Sequence, residues 1–101
     1  MEESAFQKRR ADDEKELKTL TQRLEQLRKD FDRFFMGQER IAPLPRRDKL
    51  KREFRASRLN QTRNTALRFR FQNLKLRLTT YTNYWERMLR QVEEGKLRPG
   101  S

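Results

Sequence analysis

The sequence predicts an all-α protein in which two long helices fold back on each other as an antiparallel coiled-coil hairpin, joined by one proline-containing loop. Three observations carry this prediction. Apolar residues recur in alternating steps of three and four along both halves of the chain, the repeat that keeps one stripe of a helix facing a partner. Charged residues make up 41% against 33% hydrophobic, which fits long solvated helices better than a compact mixed fold, where about a quarter charged is usual. Glycine and proline are few, three of each in 101 residues, and they punctuate the chain without being spread through it. A disordered chain of similar charge would lack the periodic apolar placement.

The first helix is expected over about residues 4–36. Ser4-Ala5-Phe6-Gln7 has the spacing of a capping box, in which the glutamine side chain reaches back to the cap's backbone N–H. Leu17, Leu20, Leu24, Leu27, Phe31 and Phe34 form its seam. Glu14 to Lys18 and Glu25 to Lys29 have the favourable orientation for outward i,i+4 pairs. The acidic cluster Asp12, Asp13, Glu14 and Glu16 lies too far into the helix for the dipole to explain it. Gly37 follows where a C′ glycine would end the helix.

Residues 37–47 are the expected loop: Pro43 and Pro45 bias Ala42 and Leu44 toward extended backbone, so the helices cannot form one rod. A second helix is expected over about residues 48–94, roughly 70 Å long, stopping at Gly95 and leaving a tail of 95–101 that Pro99 keeps from resuming the helix. Its seam runs through Leu67, Phe71, Leu74, Leu78, Tyr81, Trp85, Met88 and Val92. Carried backwards, the register lands on Asn64, Asn60 and Ser57. Two readings stay open there: a buried asparagine that fixes register, or a stretch that faces solvent.

Phe69 and Leu76 lie nearly opposite this seam, so the second helix is apolar on two sides where one hairpin offers a single covering helix. A second copy of the chain would cover the other face, giving a homodimer with a four-helix centre of either parallel or antiparallel sense. The longer second helix points the same way, since its aromatic stretch would overhang a shorter partner. The expected interface residues are Phe69, Phe71, Leu74, Leu76, Leu78, Tyr81, Trp85 and Met88.

With neither cysteine nor histidine, the chain has no disulfide, no thiolate or imidazole chemistry and none of the common zinc sites. It shows no glycine-rich phosphate loop and no activated nucleophile, so no catalytic residue, cofactor, metal or small-molecule substrate is expected. No apolar run approaches the ~20 residues of a transmembrane span, nor does the N-terminus resemble a signal peptide, and a cytoplasmic protein is the default expectation.

The net charge of +11 is unevenly placed. Residues 47–77 hold eleven basic side chains against only Asp48 and Glu53, which is either a solvated face or a surface for an anionic partner. The candidate anion-binding residues are Arg46, Arg47, Lys49, Lys51, Arg52, Arg55, Arg58 and Arg63, which surround the helix like a sleeve. A protein adaptor or assembly module is the expectation, with nucleic-acid binding through residues 46–77 as the alternative. No zinc-finger spacing or RNA-recognition motif supports the alternative.

From Phe34 onward the sequence resembles a helical domain of myxobacteria and related deltaproteobacteria. The matching residues are Phe34-Phe35-Met36-Gly37 with Glu39-Arg40-Ile41, then Arg63 through Phe71, Tyr84-Trp85-Glu86-Arg87, and Glu93-Glu94-Gly95. The resemblance implies a shared helical hairpin and no particular activity. Where that family continues past the glycine with an aromatic residue, this chain has Lys96-Leu97-Arg98.

Overall fold

The computed structural model describes residues 2–98, with side chains from Ala5 onward. The chain forms α1 (Glu2–Phe35), α2 (Leu44–Ala56), a short 3-10 turn (Arg58–Gln61) and α3 (Thr65–Glu93), with no strand among the described residues. The all-helical expectation holds, but the helix expected over 48–94 is two helices, and the chain reverses twice. The result is an elongated bundle of 60 × 19 × 17 Å.

α1 is already helical at Glu2, so Ser4 does not start it, and the Ser4 side chain lies outside those described. Its seam is buried throughout, from Leu17 to Phe34. The predicted outward pairs are replaced: Glu14 meets Arg10, while Glu25 meets Arg28 and Arg77. The helix stops where Gly37 takes a positive φ of 82°, with Gly37 N–H donating to Phe34 C=O and Gln38 N–H to Arg33 C=O. Those two bonds satisfy carbonyls that the helix end leaves over.

The first loop is shorter than expected, residues 36–43, because Pro45 sits in the first turn of α2, where a missing N–H costs nothing. Arg46 and Arg47 therefore belong to the helix. α2 descends antiparallel to α1: Arg46 reaches Asp30, Glu53 accepts from Arg23, and Ser57 donates to Glu16 at 2.8 Å.

The second reversal is made entirely by polar side chains. Ser57 is extended (φ −65°, ψ 135°), and its hydroxyl accepts from Leu59 N–H at 3.1 Å. The Asn60 amide donates to the carbonyls of Phe54, Arg55 and Ser57, adding to the backbone bonds by which Phe54 C=O accepts from Ser57 N–H and Ser57 C=O from Asn60 N–H. The Thr62 hydroxyl accepts from Asn64 N–H, and Asn64 Oδ1 caps α3 by accepting from Leu67 N–H at 3.1 Å. Beneath them Leu59 is fully buried.

α3 then climbs parallel to α1, since residue numbers rise together on both: Leu17 and Thr21 line a crevice with Leu74, Arg77 binds Glu25, and Trp85 stacks on Phe31 at 4.1 Å. On its other flank Phe71 stacks on Phe54 of α2 at 5.8 Å. The aromatic stretch expected to overhang helix 1 is thus covered within one chain, because the second reversal lets α3 start again beside the lower half of α1. α3 ends at Gly95 (φ 73°), with Lys96 N–H donating to Gln91 C=O at 2.9 Å; Pro99 lies outside the described residues.

Candidate partner-binding surfaces

The bundle divides the eight predicted anion-binding residues into two groups. Three are engaged internally. Arg46 binds Asp30, Arg47 lies 3.0 Å from Asp48 with most of its side chain covered, and Arg58 Nε stands 2.9 Å from Asp13 Oδ1 and 3.8 Å from Glu16. The other five, Lys49, Lys51, Arg52, Arg55 and Arg63, make no ion pair with any described residue. Lys49, Arg52 and Arg55 step by three along the side of α2 away from buried Leu50 and Phe54. Lys51 and Arg55 also line a groove of about 400 Å³ against α3, together with Lys75, Asn60, Thr82 and Glu86. Arg63 stands apart, in a cleft of about 770 Å³ where α1 overhangs the second reversal, near Phe6, Arg9 and Arg10. The expected sleeve is therefore a one-sided patch on α2 with an outlier.

The predicted interface residues divide as well. Phe71, Leu74, Leu78 and Trp85 are buried in the bundle's own core, and Tyr81 and Met88 are half-buried against it. They are core residues and are not available to a second chain. Phe69 and Leu76 alone face solvent, at 64% and 67% exposure. They lie seven residues apart, which on a helix means the same side, two turns on.

Asp13 and Glu16 are residues whose role sequence reasoning missed. Asp13 is 7% exposed, although it is a carboxylate on an otherwise solvated stretch of α1. Its Oδ2 accepts from the Thr62 hydroxyl at 3.4 Å, and Arg58 sits at its other oxygen as an ion pair without the alignment of a hydrogen bond. With Glu16 holding Ser57, these acids clamp the second reversal onto α1. That placement explains two of the four acids that the helix dipole left unexplained, while Glu14 pairs with Arg10 on the surface of α1. Higher up, the hydrogen bond to the Tyr81 hydroxyl, followed by the Glu25 carboxylate, raises the Arg77 guanidinium above its ordinary range despite partial burial. Its hydrogen bond to Glu25 does the same for Arg28. Both stay cationic at any ordinary pH.

What these features define is a class of molecule: a slender three-helix bundle with a one-sided cationic patch and a separate exposed apolar pair. No protein-family model, no curated protein and no solved structure matches the chain. Its surfaces must be read from their own chemistry.

Proposed function

We propose that the chain is a non-enzymatic docking module that presents the basic face of α2 to an acidic protein partner. One observation carries this reading: acidic side chains are used up inside the fold while basic ones are not. Of the acids with described side chains, only Asp12, Glu86 and Glu93 stand outside an ion pair, whereas Lys49, Lys51, Arg52 and Arg55 all lack one. Part of the charge surplus is thus displayed along α2, where Lys49, Arg52 and Arg55 share one face that attracts anions and speeds their encounter. A cytoplasmic setting belongs to the same proposal; among the described residues no helix is long and apolar enough to cross a membrane. Kinship with the myxobacterial hairpin domains is part of it too, since Phe34, Phe35, Tyr84 and Trp85, all among the matching residues, meet in one aromatic cluster with Phe31.

Nucleic-acid binding is the second reading, favoured by the spacing of Lys49, Arg52 and Arg55 along one edge. A salt titration separates the two. Neutralising about four phosphates gives log affinity a slope of roughly −3 to −4 against log salt on random-sequence DNA or RNA. An adaptor for proteins shows no submicromolar affinity for either polymer at 150 mM salt, on the order of physiological ionic strength. Tight, steeply salt-dependent binding to random DNA or RNA would replace the first reading with the second.

A further inference from the structure

The outer face of α3 is set apart from the rest of the surface. Along the line of Phe69, Gln72, Asn73, Leu76, Thr80 and Asn83 there is no charged residue, in a chain that is 41% charged. The two large apolar side chains on this line sit in matching triplets, Arg68-Phe69-Arg70 and Lys75-Leu76-Arg77. On a helix, neighbours in sequence point about 100° to either side, so each apolar residue has a cation on both flanks, and the pattern repeats after two turns. Phe69 and Leu76 point away from the bundle, opposite Phe71 and Leu78 in its core. Arg77 is bound to Glu25; Arg68, Arg70 and Lys75 meet no acidic side chain of the described chain, Arg68 being held by the Thr62 carbonyl and Lys75 by Asn60.

We infer that this face is a docking stripe for one acidic amphipathic helix of another protein, about four turns long, whose apolar residues pack on Phe69 and Leu76 between two acidic edges. The inference rests on reading the chain as a docking module but concerns a different face from α2. The repeat fixes the register, because a helix with apolar residues at heptad spacing meets both knobs at once. The charges fix the sign: cations on both edges favour acidic residues on both edges of the visitor and repel basic ones. The same argument counts against a second copy of the chain. Two α3 stripes laid together would set cations against cations, and most of the described acids are already in ion pairs within their own chain. A phosphate backbone would satisfy the cations and leave both apolar residues uncovered.

The test uses the full chain and three designed four-turn peptides: one with leucines at heptad spacing flanked by glutamates, one of identical composition with the order scrambled, and one with lysines for the glutamates. Isothermal titration calorimetry should show saturable one-to-one binding of the first, at least about tenfold weaker binding of the second and none of the third. Replacing Phe69 and Leu76 together by serine should weaken the first complex by at least about tenfold while circular dichroism stays unchanged, since both side chains are outside the core. Equal affinity for the scrambled peptide would mean that charge alone is read, and the stripe would be refuted. Undiminished affinity in the double variant, or no binding of any peptide, would refute it too. A dimer in sedimentation velocity that the double variant dissolves would assign the face to a second copy instead. Register dependence and dependence on Phe69 and Leu76 have no counterpart in the α2 reading, so either can fail without the other.

Discussion

The chain turns twice, and the two turns are made of opposite materials. Between α1 and α2 a glycine supplies the one unusual backbone conformation, and the bundle is closed over by aromatic rings: Trp85 on Phe31 at 4.1 Å, Phe34 against Phe35 at 5.2 Å, Phe35 against Tyr84 at 6.5 Å. Between α2 and α3 there is neither glycine nor proline, and Ser57, Asn60, Thr62 and Asn64 build the bend by hydrogen bonding to the backbone, with Asp13 and Glu16 holding it from α1. The first closure depends on area removed from water, which tolerates many side chains of suitable size. The second depends on the direction of individual bonds, which tolerates few substitutions at each position.

Substitutions at the two ends should differ accordingly. Trp85→Ala removes the largest fully buried side chain and should cost about 3–5 kcal/mol in urea denaturation followed by circular dichroism. A cost below about 1 kcal/mol would mean that the aromatic end is not a packed closure. Leu78→Asp with Trp85→Asp should unfold the chain and not release folded monomers, because both positions belong to its own core. At the polar end, Asp13→Ala leaves Thr62 without its acceptor and Arg58 with Glu16 alone, and should cost less, about 1–3 kcal/mol, because Arg58 remains more than half exposed and water replaces part of what is lost. Asn64→Ala removes one cap and should cost about 1 kcal/mol, while Asn64→Asp or Asn64→Ser recovers most of it. If Ala and Asp at position 64 are equally harmful, the side chain does not act as a cap. The smallest effect belongs to Arg52→Glu with Arg55→Glu, which should leave stability within about 0.5 kcal/mol, since neither side chain has a partner to lose.

The same contrast explains what could be read from the sequence. Leu17 to Phe34 and Leu67 to Trp85 were legible as seams because burial leaves a periodic trace, and Gly37 and Gly95 were legible as stops because a positive φ narrows the choice of residue. The second reversal was not. Its only trace is that the seam turns polar at Ser57, Asn60 and Asn64, which was open to reading as a register-fixing or solvent-facing stretch of one helix. All three are good caps and turn formers, and Asn64 stands three residues before Leu67, the spacing of an N-cap to the N–H it receives. A helix of some 47 residues without an interior stop also stood well outside the usual length of about 11–12. Pro45 misled in the other direction: read as loop, it is the first turn of α2. The split of the cations was illegible for a different reason. Whether Arg46 and Arg58 are displayed or engaged depends on their meeting Asp30 and Asp13 of α1, and those pairings exist only once the chain has folded back on α1.

Three passes, where a hairpin makes two, also set how the molecule bears load. α1 rises from its start at Glu2 and α3 finishes at Glu93 beside the top of α1, so the two described ends lie toward opposite poles of a body 60 Å long. A hairpin pulled by its ends would unzip, one helical turn after another, each rupture small. Here tension applied at the two ends runs along the parallel α1 and α3 and acts on their shared seam in shear. Phe31 against Trp85 and Glu25 against Arg77 are then strained together, and extension requires many contacts to fail at once. Forced unfolding is governed by that barrier, so this bundle should act as a stiff strut along its long axis and yield far more readily to a pull applied across it.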